Sequence, residues 1–550
     1  MTQNKPPYVR QAVVVIHGMG DQLPLSTLTR FIDTALVPDA SGDRVYYSRP
    51  ETVTGSFESR RFLAPRRVDD QGAELRAQTD IYEYHWADKM QGNRLDDLWP
   101  TTRRILLQWP TRVPGGLRVV WVLAWITILA SAWTVSFGAL EGKVLGSDAP
   151  LVAAIEALVS GGLATAAVSY LLTRTGPDWL TTSFVDVVRY LDTSPRSFAA
   201  RRDIRKGIVD MLTALHDSRD YDRIVIVAHS LGAYIAYDAI AYLWGTVNYR
   251  TDMGTDDTRV ESLAELQSAA EALPADLPRG DRAEPAHLAR YQAAQRKVWA
   301  EVRSQGNPWL ITDFVSVGTP MYFADHLLAG KDGRHFRARI RRRELPTCPP
   351  QPDAGEYLLP VDGHDDPDRQ PLAAAKDDRW LSYDKTWTVR EPDGTRRRVR
   401  QEVVYEGAPF AVVRWTNIYF PVRYGLFGDW FGGPLAPLFG YGVHDVPVTG
   451  NTLSKPGTHP FRHRHMPGAA HSYYFSFPDD ATAGSVASRV RDGLDLASST
   501  WADVERAPRS APPSVSQPAS KRRPRRRADA APRSPAVSRR QRRKVPPPRP

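Results

Sequence analysis

The sequence predicts an α/β fold, a mostly parallel sheet flanked by helices, on three observations. Short runs of β-branched and apolar residues recur without the alternation of a half-solvated strand. Each ends in a turn of small or polar residues. One passes at once into an apolar helix. In chain order, residues 12–16 (Ala-Val-Val-Val-Ile) form the first strand and run into His17-Gly18-Met19-Gly20. Residues 81–86 (Ile-Tyr-Glu-Tyr-His-Trp) form another. Residues 184–214 read as helical, with 201–215 leading into the strand at 224–228 (Ile-Val-Ile-Val-Ala). His229-Ser230-Leu231-Gly232 turns that strand into a helix at 233–240. Residues 246–306 are rich in Ala, Glu, Arg and Leu and predict inserted helices, either a cap or a solvated surface layer. A strand at 314–317 ends in Gly318-Thr319-Pro320. The charged, Pro-rich stretch 334–406 holds a hairpin turn at Glu391-Pro392-Asp393-Gly394, and 412–420 is a late strand.

The strand–Ser230–helix junction has the layout of a nucleophile elbow. Such a turn lifts a serine hydroxyl above the end of a buried strand and needs small residues two positions to either side. Ala228 and Gly232 stand there. A strand running into His17-Gly18 suits backbone N–H groups that face a developing negative charge. With the Gly318-Thr319-Pro320 turn, which looks like the Gly-Ser-Pro turn common after the next strand in lipases, these residues resemble the α/β-hydrolase fold and, more narrowly, its lipase-like members. The resemblance covers 13–20, 80–88, 185–242, 313–325 and 410–477. It implies an oxyanion hole from Gly18, Met19 and Leu231, with Ser230 as nucleophile. It also implies the chain order serine, acid, histidine. The acid should follow a late strand, where Asp429 lies among glycines in residues 421–433; Asp445 is the second candidate. The base should follow the last strand, for which 461–466 is the candidate, and Gly468-Ala-Ala-His471 then supplies it. His463 and His465 are alternatives, and His229 shapes the pocket.

Two uncharged or nearly uncharged stretches, 119–140 and 151–172, are each long enough to cross a bilayer core of about 30 Å. The second is broken only by Glu156 and places small residues such as Gly162 and Ala166 four apart. They predict a transmembrane helical hairpin. Arg103, Arg104, Arg112 and Arg118 precede it and Arg174, Arg189, Arg196, Arg201 and Arg202 follow it, while the connection carries Lys143 beside Glu141 and Asp148. This asymmetry places both outer ends, and the sheet they flank, on the cytoplasmic side of the inner membrane.

The net charge of +10 belongs to the tail, since the rest of the chain is near neutral. From about residue 507 the sequence is Pro-, Arg- and Ser-rich and predicts disorder. Its cationic runs at 521–527 and 539–544 suit anionic lipid, with nucleic acid as the rival partner. The single cysteine, Cys348, excludes an internal disulfide and a cysteine-based zinc site. No secretion signal is expected, because the first apolar run is 12–16. His459, His463, His465 and His471 lack the fixed spacing of metal ligands, and no phosphate loop is present, so neither metal nor cofactor is expected.

The expected organisation is a hydrolase domain in pieces at 1–116, 174–245 and 307–500. The hairpin is inserted at 117–173, the helical insertion at 246–306, and the disordered tail occupies 501–550. The expected activity is hydrolysis of an ester or thioester, with a lipid or other acyl compound as substrate, through an acyl-serine intermediate. An acyltransferase using the same three residues and a catalytically silent scaffold are the competing readings.

Overall fold

The computed structural model describes residues 9–18, 23–36, 46–53, 60–64, 77–90, 195–248, 257–275, 282–327, 334–351, 380–390, 393–422, 428–448, 469–476 and 484–496, with isolated residues at 107–129, 190 and 277. Among them an eight-stranded sheet has the order β10-β9-β6-β5-β1-β4-β3-β2. Its strands are β1 (Val9–Ile16), β2 (Tyr47–Pro50), β3 (Arg60–Ala64), β4 (Ala77–Tyr84), β5 (Arg223–His229), β6 (Ile311–Val317), β9 (Arg414–Tyr419) and β10 (His444–Pro447). From β10 across to β4 all pairings are parallel; β3 and β2 add an antiparallel edge. Strands β7 (Ser382–Arg390) and β8 (Arg396–Val404) form a separate hairpin around Gly394, whose φ of 87° suits glycine.

The parallel strands are buried on both faces, which is why they read as continuous apolar runs rather than alternating ones. Ala12, Val14 and Ile16 of β1 and Ile224, Ile226 and Ala228 of β5 face one core. Helices α2 (Pro195–Asp217), α3 (Gly232–Val247), α4 (Ser262–Glu271) and α5 (Pro285–Ser304) pack on that side. Val13, Val15, Val225 and Val227 face the other core, covered by α1 (Ser26–Ala35) and a C-terminal helix (Val486–Leu494).

The insertion at 246–306 is mainly helical where it is described. Tyr291 of α5 donates its hydroxyl hydrogen to the Phe410 carbonyl, and Gln295 donates to the carbonyls of Phe410 and Val413. Tyr291, Ala294 and Val298 are buried in the main core, so this helix is a packed layer of the fold. The late strand is shorter than the expected 412–420, because 409–411 form a tight 3₁₀ turn before it. The last described strand is β10, which precedes the expected 461–466; that stretch lies outside the described residues.

The proposed spanning segments 119–140 and 151–172 also lie largely outside the described residues. Helical turns remain at 121–122, 125–126 and 128–129, where Val122, Ile126, Ile128 and Leu129 are exposed. Among the described residues no helix is long and apolar enough to cross a membrane. The chain divides into Met1–Arg509 and Ser510–Pro550, and the second unit, with the basic tail, lies wholly outside the described residues.

At the starts of β5, β6 and β9 a buried ionic group ties the C-terminal helix to the sheet. Arg414 Nε donates to Asp313 Oδ1 at 2.6 Å, and Arg223 Nη1 lies 4.0 Å from Asp313 Oδ2. The same two arginines donate to the Gly493 and Leu494 carbonyls at the helix end (3.2 and 3.0 Å), where cations oppose the helix dipole. Asp313→Ala leaves two buried guanidinium groups without their shared carboxylate. Loss of one partner from such a group costs about 3–5 kcal/mol. Urea denaturation should show a midpoint lowered accordingly, with the slope unchanged.

Candidate active site

The strand-to-helix turn after β5 is held from both sides. Ser230 adopts φ of 54°, a left-handed conformation that a serine keeps only when its surroundings impose it. Its N–H donates to the Val317 carbonyl of β6 at 2.9 Å. On the other side Gly232 abuts β1, where a Cβ would lie 2.6 Å from the His17 carbonyl oxygen and 2.7 Å from that of Ile16. Only glycine fits at this position, as expected from the sequence. Ala228 is fully buried and is accommodated in the strand itself.

The structure brings Ser230, His471 and Asp429 into one hydrogen-bonded chain. Ser230 Oγ donates to His471 Nε2 at 2.8 Å, and His471 Nδ1–H donates to both carboxylate oxygens of Asp429 at 3.1 Å. All three are shielded from water: Ser230 and Asp429 are 0% exposed and His471 4%. His471 sits in a 3₁₀ turn, Ala469–Ser472. Beyond β9 the chain makes an excursion whose neck is closed by an Asp429 N–H to Phe420 carbonyl bond of 3.4 Å. Gly428, at φ 108°, makes this neck possible, since a Cβ there would meet the Pro421 oxygen at 2.4 Å. The excursion therefore leaves Asp429 at the end of its strand.

Asp429 is surrounded by donors. The Phe431 N–H reaches Oδ1 at 2.8 Å, and the Tyr474 hydroxyl, itself accepting from the Phe420 N–H, reaches Oδ2 at 2.8 Å. Burial pushes the Asp429 pKa up, but the nearby His471 and these hydrogen bonds outweigh it, and the carboxyl lies below its ordinary value. Tyr474 falls three residues after His471, and its bond to the acid could not be read from that spacing. Gly318 and Gly432 close around the same carboxylate, where added Cβ atoms would approach Oδ2 to 3.0 and 2.5 Å.

Asp445, the second acid candidate, is placed elsewhere. It lies on β10 rather than in a loop, and its carboxylate accepts from Asn417 Nδ2 and from the N–H groups of Leu435 and Ala436. It has no bond to His471. His463 and His465 lie outside the described residues.

Of the three expected oxyanion residues, Gly18 and Leu231 are described and Met19 lies outside the described residues. Leu231 is the residue before α3, so its N–H is among those a helix start leaves unpaired. Gly18 faces the elbow: a Cβ there would lie 3.0 Å from the Ser230 Cβ and 2.6 Å from His229 Nδ1. Its carbonyl is held by His17, whose Nε2 accepts from the Trp86 N–H at 3.0 Å, leaving Nδ1–H to donate to Gly18 at 2.8 Å. Trp86 stacks on the His17 ring and returns an indole N–H to the His17 carbonyl. His229 Nε2–H donates to the His471 carbonyl at 3.1 Å.

Burial, aided by neighbouring histidines, pushes the pKa values of both His17 and His229 down to about 3. His471, by contrast, is hydrogen-bonded to a carboxylate, that of Asp429. Among the described residues no group of His, Cys, Asp or Glu is arranged to hold a metal ion.

The neutral imidazoles have a consequence for stability. His17 and His229 protonate near 6.5 when unfolded but resist protonation when folded. Their contribution is whole above pH 6.5 and is lost as pH falls toward 3. Each removes about 1.4 kcal/mol per pH unit through that window. His229→Asn should flatten the fall between pH 6.5 and 4 by roughly one proton's slope in urea titrations at stepped pH.

Compared with known proteins, the chain matches no family model, no curated protein and no solved structure.

Proposed function

We propose that this protein is a membrane-tethered serine hydrolase of the α/β-hydrolase type, cleaving an ester or thioester through an acyl-serine intermediate. The observation that carries the reading is the continuous Ser230–His471–Asp429 chain ending on a serine at φ 54°. A solvated surface serine would need neither the strained turn nor a buried base and acid. The chain order serine, aspartate, histidine, and the placement of all three beyond the carboxyl ends of parallel strands, support the same family.

In the proposed reaction Ser230 Oγ attacks the carbonyl carbon while His471 Nε2 accepts its proton. Asp429 holds His471 in the tautomer that leaves Nε2 free to accept, and stabilises the imidazolium. The Leu231 N–H and the loop at Gly18–Met19 receive the carbonyl oxygen as it becomes negative. The imidazolium then protonates the departing alcohol or thiol. Water, deprotonated by His471, hydrolyses the acyl-serine and restores the enzyme.

The membrane part of the proposal rests on the apolar stretches 119–140 and 151–172, on the cations that flank them, and on the exposed apolar side chains at 122–129. It places the sheet on the cytoplasmic face and makes a lipid or other acyl compound the preferred substrate class.

A fluorophosphonate probe tests the chemistry. The wild-type protein should label, and Ser230→Ala should abolish both labelling and ester hydrolysis, a loss on the order of 10⁶-fold in rate. Labelling that survives the substitution would put the nucleophile elsewhere. An acceptor alcohol that diverts product from acid to new ester would identify acyl transfer instead of hydrolysis.

Alkaline carbonate extraction tests the tether. The full-length chain should stay with the membrane pellet, and a variant with 119–172 replaced by a short polar linker should move to the supernatant while still labelling. Full-length protein in the wash would refute spanning segments.

A further inference from the structure

Asp445 is buried, yet the proposed chemistry does not use it. Its Cα pairs with that of Asn417 on the neighbouring strand. Its Oδ1 accepts from Asn417 Nδ2 at 2.6 Å and from the Leu435 N–H at 2.9 Å, and its Oδ2 accepts from the Ala436 N–H at 2.8 Å. Asn417 Nδ2 also donates to the Gly433 carbonyl at 2.9 Å. The amide oxygen of Asn417 accepts from Ser316 Oγ at 3.1 Å, and Ser316 Oγ accepts from Trp415 Nε1 at 3.0 Å. The orientation of the amide is thereby fixed, because only its NH₂ can face both a carboxylate and a carbonyl.

The bonds to the Gly433 carbonyl and to the Leu435 and Ala436 N–H groups converge on residues 433–436. The segment just before them touches the acid: the Phe431 N–H donates to Asp429 Oδ1, and Gly432 packs so closely that a Cβ would lie 2.5 Å from Oδ2 and 3.1 Å from the Gly318 Cα. Residues 431–436 are thus a strap. Its near end fixes Asp429, and its far end is tied to the sheet by Asn417 and Asp445.

We propose that Asp445 is a positioning residue, which holds the strap 431–436 through the Leu435 and Ala436 amides and so fixes the Asp429 carboxylate against His471. The proposal rests on the reading of Ser230, His471 and Asp429 as the reacting group. A carboxylate suits this position better than an amide. Three N–H groups point at it, and an asparagine would turn its own NH₂ toward one of them, leaving buried donors facing each other.

The test uses the full-length protein in detergent. Asp445→Asn should retain native circular dichroism, lower kcat for a soluble ester by roughly ten- to a hundredfold, and leave KM nearly unchanged. The downfield proton resonance of the His471 Nδ1–H···Asp429 pair should weaken or shift in the same variant. Asn417→Ala, which unties the Gly433 carbonyl and leaves the carboxylate in place, should move both readouts the same way by less. It also stands in if Asp445→Asn fails to fold. An unchanged kcat together with an unchanged resonance would overturn the proposal. So would losses that match only the fraction of protein unfolded, since those indicate a general structural role. The resonance reports the contact whether or not the protein turns over, so absence of labelling in the wild type would sink the hydrolase reading separately from this one.

Discussion

The site depends on the contact between Gly232 and the end of β1. Strand β5 must stop, turn on Ser230 and start α3 in the space left between two neighbouring strands. A single methyl group at Gly232 would collide with two backbone carbonyls, neither of which can move without shifting β1. The bond from the Ser230 N–H to Val317 closes the other side. With both sides fixed, the serine is forced to its positive φ, and its side chain has one direction in which to point. The strain of about 1–3 kcal/mol that such a conformation stores is offset by the burial of β1, β5 and β6 on both faces. The same contact sets the distance between Ser230 and Gly18, so one close approach governs both the nucleophile and the proposed oxyanion loop.

The electrostatics follow from that geometry. Three histidines lie within a small buried volume, and three positive charges there would repel one another. Burial keeps His17 and His229 neutral, each with one ring nitrogen donating to a backbone carbonyl. They act as shaped, uncharged donors that hold Gly18 and the His471 backbone. Asp429 lies against the Nδ1 of His471 and is itself kept ionised by the histidine, Tyr474 and Phe431.

The elbow was legible in the sequence because its parts are local. A β-branched run, a serine between small residues and an apolar helix occupy one unbroken stretch, and the steric demand at Gly232 acts within it. Asp429 and Asp445 were harder to separate, because both lie in or just after adjacent strands in the late part of the chain, with glycines within a few residues. What distinguishes them is a pair of long-range facts: the bond from the Asp429 N–H back to the Phe420 carbonyl, and the pairing of Asp445 with Asn417. Neither leaves a periodicity. Tyr474, Trp86 and Asn417 went unassigned for the same reason, since each acts by one hydrogen bond to a distant residue. The edge strands β2 and β3 also escaped, being short and, in the case of β2, exposed throughout. The α4–α5 insertion was legible as helix but not as core, because apolar spacing alone does not say which surface a helix meets.

The topology adds an argument about how a tether would meet this site. Strand β4 runs parallel to β1, so its end lies on the edge of the sheet that carries Gly18 and Ser230, and Trp86 just beyond it bonds directly to His17. The chain leaves for the apolar stretches from that edge. It comes back along α2, which runs in the opposite sense. Ile204 of this helix accepts a hydrogen bond from Tyr84 at the end of β4 (2.6 Å), while Asp222, after the helix, bonds to Arg10 at the start of β1. Residues 195–203 therefore extend past the level of Tyr84 by on the order of 13 Å at about 1.5 Å per residue, and Phe198 there is exposed. Met90 and Pro195, the described residues that flank this stretch, therefore both lie toward the site's edge and away from the ionic group around Asp313. In the proposed arrangement the bilayer and the proposed nucleophile are then on the same side of the sheet.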